Sequence, residues 1–277
     1  MEYKFGETLI CLDKVELSYG EGLNKKIIIS DFSMIEKDVI TKDKITGQVI
    51  AVLGPSGSGK STLFKAITGL LKPSIGKVLI NDGKGQNSAK EVVAGDVGFI
   101  DQKYTLFRHK TIYEILDFAT KFGKYKNLSK QEKQHLIFTY LTEWGLYNQK
   151  DQYSFELSGG QRQRVAILEK IISSKGFIVM DEPASGLDVK NIEKLKHNIN
   201  LLASENDTNT IIMSTHDINL AVEMADSIYI IGHKNSEDLH STLLQHFDLK
   251  EMGLAWKSFN QSHLELSQEI KKIILNS

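Results

Sequence analysis

One cysteine and three prolines among 277 residues leave this chain with almost no covalent or conformational bracing. Cys11 has no second cysteine to pair with, so an internal disulfide is excluded and a reducing cytosol is the expected setting. Charge of one sign is also missing. With 34 basic and 35 acidic residues the formal net charge is −1, and there is no global basic field to attract nucleic acid or acidic lipid. Nucleic acid is therefore not an expected partner. No apolar run approaches the ~18 residues of a membrane-spanning helix. The opening MEYKFGETLI has no charged-then-apolar leader, so work at a membrane would require docking onto something else.

What is present is a 41% apolar composition, enough for a substantial core, arranged in a rhythm. Short β-branched runs, VIAVLG (49–54), DVGFI (96–100), FIVMD (177–181), TIIMST (210–215) and SIYIIG (227–232), alternate with helix-like stretches. This predicts buried strands of a mainly parallel α/β sheet with helices on its faces. Pro55, Pro73 and Pro183 each fall at an element boundary, where a fixed φ and a missing N–H cost little. From about 103 to 169 the strand signal gives way to helical spacing in TIYEILDFATKFG and SKQEKQHLIFTYLTEWGL, which predicts a helical subdomain inserted into a domain spanning 1–234. In the tail, 235–277, the Leu and Ile spacing of LHSTLLQHFDLKEMGLAW and HLELSQEIKKIIL predicts a helical appendage.

The stretch GPSGSGKS (54–61) carries the first chemistry. It satisfies G-x-x-x-x-G-K-[ST] in the required context, an apolar strand before and the helical run STLFKAITGL after. Glycines let backbone N–H groups face an anion, and a helix N-terminus behind them adds a favourable dipole. Gly54, Pro55, Ser56, Gly57, Ser58, Gly59, Lys60 and Ser61 would cradle the phosphates of a nucleoside triphosphate such as ATP, with Lys60 on the β/γ oxygens and Ser61 offering its hydroxyl to Mg²⁺. Thr62 would add a bond to the α-phosphate.

FIVMDE ends a buried strand in two carboxylates, costly unless they face a cation or a water that must lose a proton. Asp181 would hold Mg²⁺ and Glu182 would polarise the attacking water. His216, closing another apolar strand in STHD, would bond the γ-phosphate and position the water, and Gln102 would touch Mg²⁺ and the water from a loop. The alternatives, an incidental strand-end histidine and a plain surface amide, stand beside these assignments. LSGGQ (157–161) ahead of QRQRVAILEKII offers Ser158, the amides of Gly159 and Gly160 and a helix N-terminus, a second set of anion-binding ingredients. Two such sites on different subdomains invite head-to-tail assembly.

Taken in order, GPSGSGKS, LSGGQ and FIVMDEPASGLD resemble the nucleotide-binding subunit of an ATP-binding cassette (ABC) transporter, over about residues 17–232. The resemblance implies a P-loop NTPase-type fold with an antiparallel β portion at the N-terminus. By it, Tyr19 matches the aromatic that stacks on adenine, Gln102 the glutamine that senses both Mg²⁺ and the membrane partner, and Leu157 to Gln161 the signature, with Ser158, Gly159, Gly160 and Gln161 facing the nucleotide. Ser185 to Asp188 match the D-loop, Asp181 and Glu182 the metal-side acid and the catalytic base, and His216 the switch histidine. Two cassettes in the family sandwich two ATP molecules between one chain's phosphate loop and the other's signature.

Departures from the family pattern are specific. The interval from Tyr19 to Lys60 is long, with the surplus in SMIEKDVITKDKITGQ, read as a longer hairpin between the first strands; Tyr3 or Phe5 are then alternative stacking aromatics. Asp101 adds an acid beside Gln102, and Leu168 and Glu169 stand where the pattern has alanine and arginine. The implied function is a cytosolic ATPase subunit, peripheral on the cytoplasmic face of the membrane, driving a separate integral membrane transporter subunit, more readily an importer. A second ABC ATPase subunit would complete a homodimer or heterodimer. Tyr104, Leu106 and Phe107, in KYTLFRHKTIYEIL, are candidates for the membrane-partner groove, with a core role as the alternative for each. The alternatives are a soluble ABC-type ATPase in a non-transport complex and a regulatory ATP-binding module.

Overall fold

The computed structural model describes all residues except 1–2, 43–45, 82–88, 102–103, 175 and 236. Five strands form a parallel sheet: β3 (Gln48–Leu53), β6 (Gly98–Ile100), β7 (Phe177–Met180), β8 (Thr210–Ser214) and β9 (Ser227–Gly232). β10 (Thr242–Asp248) pairs antiparallel with β9, and the order across this sheet is β10-β9-β3-β8-β7-β6. Every residue of β3, β7, β8 and β9 is buried, as expected of strands covered on both faces. Parallel strands all end on the same edge, and α1 (Lys60–Ile67) begins there, directly after β3 and its glycine turn.

A second, antiparallel sheet has the order β2-β1-β4-β5, from β1 (Tyr3–Tyr19), β2 (Lys26–Thr41), β4 (Ile75–Asn81) and β5 (Ala89–Glu91). The surplus segment lengthens the β1/β2 hairpin, where Cys11 faces Ile35, Phe5 faces Val39 and Tyr3 faces Thr41. Its inner face packs Leu12, Leu17 and Phe32 with Leu63 and Phe64 of α1. Those residues fix the helix that follows the phosphate-loop sequence.

The helical insertion contains α2 (Ile112–Ala119), α3 (Lys130–Glu143) and α4 (Gly159–Ser173), each starting on a Thr or Ser N-cap with a reciprocal capping box: Thr111 with Glu114, Ser129 with Glu132, Ser158 with Gln161. Ile112, Ile115 and Leu116 of α2 and Val165, Leu168 and Ile172 of α4 share one core. Leu168 is fully buried there, so its departure from the family pattern serves packing. α5 (Val189–Ala203) and α6 (Ile218–Met224) cover the parallel sheet.

The tail differs from its expected form. Residues TLLQHFD are strand β10, not helix, although Leu243, Leu244 and Phe247 have helical spacing. The open edge of β9 supplies a ladder of backbone partners, and this non-local pairing overrides the local period. The expected helix does form further on, as α7 (Gln261–Leu275), capped by Asn260 and buried through Leu266 and Ile270.

Candidate functional site

The carboxyl ends of β3, β7 and β8 converge, and their next residues carry the polar side chains singled out above. Such an edge is where ligands bind in open α/β sheets. Gly54 leaves β3 with φ 156°, and a Cβ there would lie 2.1 Å from the Ile231 carbonyl oxygen. Gly59 caps α1 with φ 89°, pressed against the side chains of Ile28 and Ile29. At both positions only glycine fits without strain. Ser56 and Gly57 are exposed, whereas Ser58 is buried and its hydroxyl oxygen has no hydrogen-bond partner among the described residues.

Lys60 is 7% exposed and folds its ammonium back onto its own loop, donating to the carbonyl oxygens of Gly54 at 2.8 Å and Pro55 at 3.1 Å. Burial pulls its pKa below the usual lysine value, and Glu182 and Asp181 push it back up. The Ser61 hydroxyl donates to Asp181 Oδ2 at 2.7 Å. Asp181 Oδ1 accepts from the Ser214 hydroxyl at 2.7 Å, and Ser214 Oγ in turn accepts the Glu182 backbone N–H at 2.9 Å. His216 Nε2 stands 2.8 Å from Glu182 Oε1. Burial raises the Glu182 carboxyl above the ordinary range; His216 and Lys60 counter this, while Asp181 adds to it. Glu182 also has φ 53°, a left-handed conformation that costs an ordinary residue energy and recurs at functional sites.

The residues fit a nucleotide with its metal. Among the described residues, an unpartnered buried hydroxyl, a loop closed to a Cβ at Gly54 and Gly59 and a lysine bonded only to loop carbonyls describe an anion pocket. Among the described residues no cluster of three or more His, Cys, Asp or Glu stands ready for a metal. Ser61 with Asp181 is the sparse donor set suited to Mg²⁺, which is held by one or two protein groups plus phosphates and water.

The remaining sequence-predicted residues are distributed around this pocket. Tyr19 ends β1 beside α1, with Lys65 Nζ 5.8 Å from its ring centroid. Tyr3 and Phe5 occupy the opposite end of the same strand, about 50 Å away at ~3.3 Å per residue; Tyr3 packs there on Trp256. Thr62 lies in the first turn of α1, and Gln102 lies outside the described residues. Ser158 caps α4, accepting the Gln161 N–H at 3.3 Å and donating its own N–H to Gln161 Oε1 at 2.9 Å. Gly159 faces open space, whereas Gly160 lies against Asn191 of α5. Asp188 caps α5, accepting the N–H of Asn191 at 2.8 Å. Signature and D-loop thus meet at neighbouring helix starts. Of the three groove candidates, Phe107 is exposed and lines a groove of about 450 Å³ with Leu70, Phe99, Phe118 and Phe122, while Leu106 packs on the core and Tyr104 turns inward.

Sequence reasoning missed Ser214, which bonds to both carboxylate residues; its signal was a hydroxyl closing the apolar strand TIIMS two residues before His216. It also missed Gln163, whose side-chain amide donates to the Pro183 carbonyl from inside a run of polar residues that gave no sign of burial.

Comparison with known proteins agrees with this geometry. The family model for ABC transporters matches residues 40–185. The sulfate/thiosulfate import ATP-binding protein CysA of Synechocystis sp. is 34% identical over 194 residues, 70% of this chain and 53% of that protein. The glutamate transport ATP-binding protein GluA of Corynebacterium glutamicum is 37% identical over 192 residues, 67% of this chain and 76% of that one. The chain spans about half the length of the CysA relatives it matches. Among solved structures, the dimeric ATP-binding cassette MJ0796 in a post-hydrolysis state with ADP and Pi superposes with TM-score 0.67 at 25% identity, covering 87% of this chain and 99% of that one. For cbiO1 from Clostridium perfringens, part of the ABC transporter complex cbiONQ, the TM-score is 0.69 at 22% identity, covering 97% and 99%; this likeness concerns the fold alone. The chain is a P-loop α/β protein of the ATP-binding cassette class. It belongs to the ABC transporter family.

Proposed function

We propose that this chain is the ATP-hydrolysing subunit of an ABC transporter, an importer, driving transport through a separate integral membrane subunit at the cytoplasmic face. One observation carries the hydrolytic reading: the unbroken chain of contacts Ser61–Asp181–Ser214–Glu182–His216 behind a phosphate loop with every required residue type. Import is supported by relatives named for sulfate/thiosulfate import. Among the described residues no helix is long and apolar enough to cross a membrane. The Phe107 groove has the apolar lining to receive a helix of that partner.

In this reading the N–H groups of 56–61 bind the triphosphate, Lys60 leaves its loop carbonyls for the β/γ oxygens, and Tyr19 stacks on adenine. Ser61 and Asp181 hold Mg²⁺, with Gln102 as a further donor. When bound, the metal supplies charge neutralisation at the phosphate oxygens. Glu182 accepts a proton from the water whose oxygen bonds to the γ-phosphorus as the bond to the β,γ-bridging oxygen breaks, leaving ADP and phosphate; its raised pKa makes it a better base than an exposed carboxylate. His216, beside it, orients that water toward the γ-phosphorus. Ser158, Gly159, Gly160 and Gln161 present the start of α4 to the nucleotide of a second ATPase subunit, and Asp188 keeps the adjoining helix start in place. The dimeric MJ0796 neighbour supports that pairing.

The test is Lys60→Ala in the full chain, assayed for Mg²⁺-dependent ATP turnover and nucleotide binding. Turnover is expected to cease and binding to weaken. Wild-type turnover in that variant would overturn the site, and failure of the chain to copurify with any integral membrane protein would overturn the transport reading.

A further inference from the structure

The Pro183 carbonyl directly follows the proposed base, and two groups from the helical side of the molecule converge on it. Tyr104 donates its hydroxyl at 3.0 Å, and the buried side-chain amide of Gln163, on α4, donates as well. Tyr104 belongs to the loop after β6; Gln163 lies two residues past the LSGGQ run. The backbone records the same convergence. Tyr104 has φ 47° and Glu182 φ 53°, two non-glycine residues in the left-handed region on either side of one carbonyl. Such conformations persist where the surroundings over-determine them. On its other side the Glu182 N–H is pinned by Ser214. The Glu182–Pro183 segment is therefore held from the sheet at its start and from the helical subdomain at its end.

We propose that Tyr104 and Gln163 are positioning residues that fix the direction of the Glu182 carboxylate through the Pro183 carbonyl, making catalysis dependent on the seating of the helical subdomain. This rests on the hydrolytic reading above. The two donors act on a single acceptor, so a displacement of α4 relative to β7 is felt one residue from the base. Neither donor is among the residues assigned above to the nucleotide. Loss of the clamp thus reduces kcat and leaves KM for ATP in place, since a misplacement on the order of 1 Å can cost about a hundredfold in rate.

The experiment measures kcat, KM and nucleotide affinity of the full chain with Mg²⁺ for wild type, Tyr104→Phe, Gln163→Met and the double variant. Tyr104→Phe keeps the ring and its packing, so it remains informative if Gln163→Met folds poorly. Tyr140→Phe is the control: it removes another buried hydroxyl of the same subdomain, bonded to Tyr125 at 2.9 Å and Glu205 at 3.1 Å, away from the pocket. The expected result is a fall in kcat of about ten- to a hundredfold in each single variant, unchanged KM and affinity, and a double variant little worse than the singles because both donors serve one atom. Tyr140→Phe is expected to keep wild-type kcat. An inert wild type removes the hydrolytic reading and the clamp together. An active wild type with fully active Tyr104→Phe removes the clamp alone, as does an equal kcat loss in Tyr140→Phe.

Discussion

The two edges of the parallel sheet both bury charge, and they treat it in opposite ways. At the amino edge, Lys250 is enclosed: its ammonium donates to Ser227 Oγ at 2.9 Å and lies 3.4 Å from Glu36 Oε2 and 3.6 Å from Asp248 Oδ2. Glu36 Oε1 accepts the Tyr229 hydroxyl at 2.9 Å, and Asp226 Oδ2 accepts the Val49 N–H at 2.8 Å. Every one of these groups has a partner within the chain. At the carboxyl edge, among the described residues, Lys60 is bonded only to loop carbonyls, Ser58 Oγ has no partner, and His216 remains largely exposed. A buried charge with its partners in place is structural; a buried charge whose best partner is absent is waiting for a ligand. The closed cluster also explains the departures at both ends of the sequence. Glu36 lies in the lengthened hairpin and Lys250 in the tail, so the surplus segment and the appendage are stitched together across β9.

That contrast is open to direct attack. The largest effect is expected from Glu182→Gln, which keeps the shape of the side chain but removes the base. Turnover should fall by about 10²- to 10⁴-fold with an ATP-dependent dimer accumulating on size exclusion, while the urea midpoint stays near wild type. Undiminished turnover would refute its role. Lys250→Met should do the reverse, costing about 3–5 kcal/mol in urea denaturation by stranding Glu36, with kcat per folded molecule unchanged; a stable Lys250→Met protein would break the comparison. Asp226→Asn tests the closed edge by pH. Burial lifts the Asp226 carboxyl to about 7, above its unfolded value, with the Val49 N–H and Lys250 pulling down and Glu36 and Asp248 adding to the rise. Between about pH 4 and 7 the folded state then binds more protons than the unfolded one, so wild-type stability declines as pH rises through that window. The asparagine variant should lose this decline, gaining relative to wild type from pH 5 to pH 8; parallel stability curves would show that Asp226 does not titrate so. Tyr229→Phe is the gentlest cut, one donor to Glu36, expected at about 1–3 kcal/mol with ATP binding untouched. A shift in ATP affinity there would mean the two edges are coupled.

Much of the molecule was readable from the chain because its chemistry is local. GPSGSGKS, FIVMDE and STHD each place their polar groups directly after an apolar strand, and the parallel direction of those strands brings the groups to one edge. Less local features escaped. The stretch around Leu243 and Phe247 has helical spacing, yet it became β10 because β9 offered an open edge, which no window of sequence reports. Ser214 and Gln163 look like ordinary polar residues until folding brings them against Asp181 and Pro183. Tyr104, for which a groove and a core role both stood open, turns inward onto Pro183, a choice made only on folding.

The sequence by itself determined the class of fold and which residue types close the strands at the carboxyl edge, the glycine loop, Asp181, Glu182 and His216, because residue type and spacing along one strand suffice for these. Only the tertiary structure decided which tyrosine lies beside α1, how the tail closes the sheet, and which groups hold Glu182 in place. Those depend on contacts between segments far apart in the chain, whose free energy comes from burial and pairing across the fold.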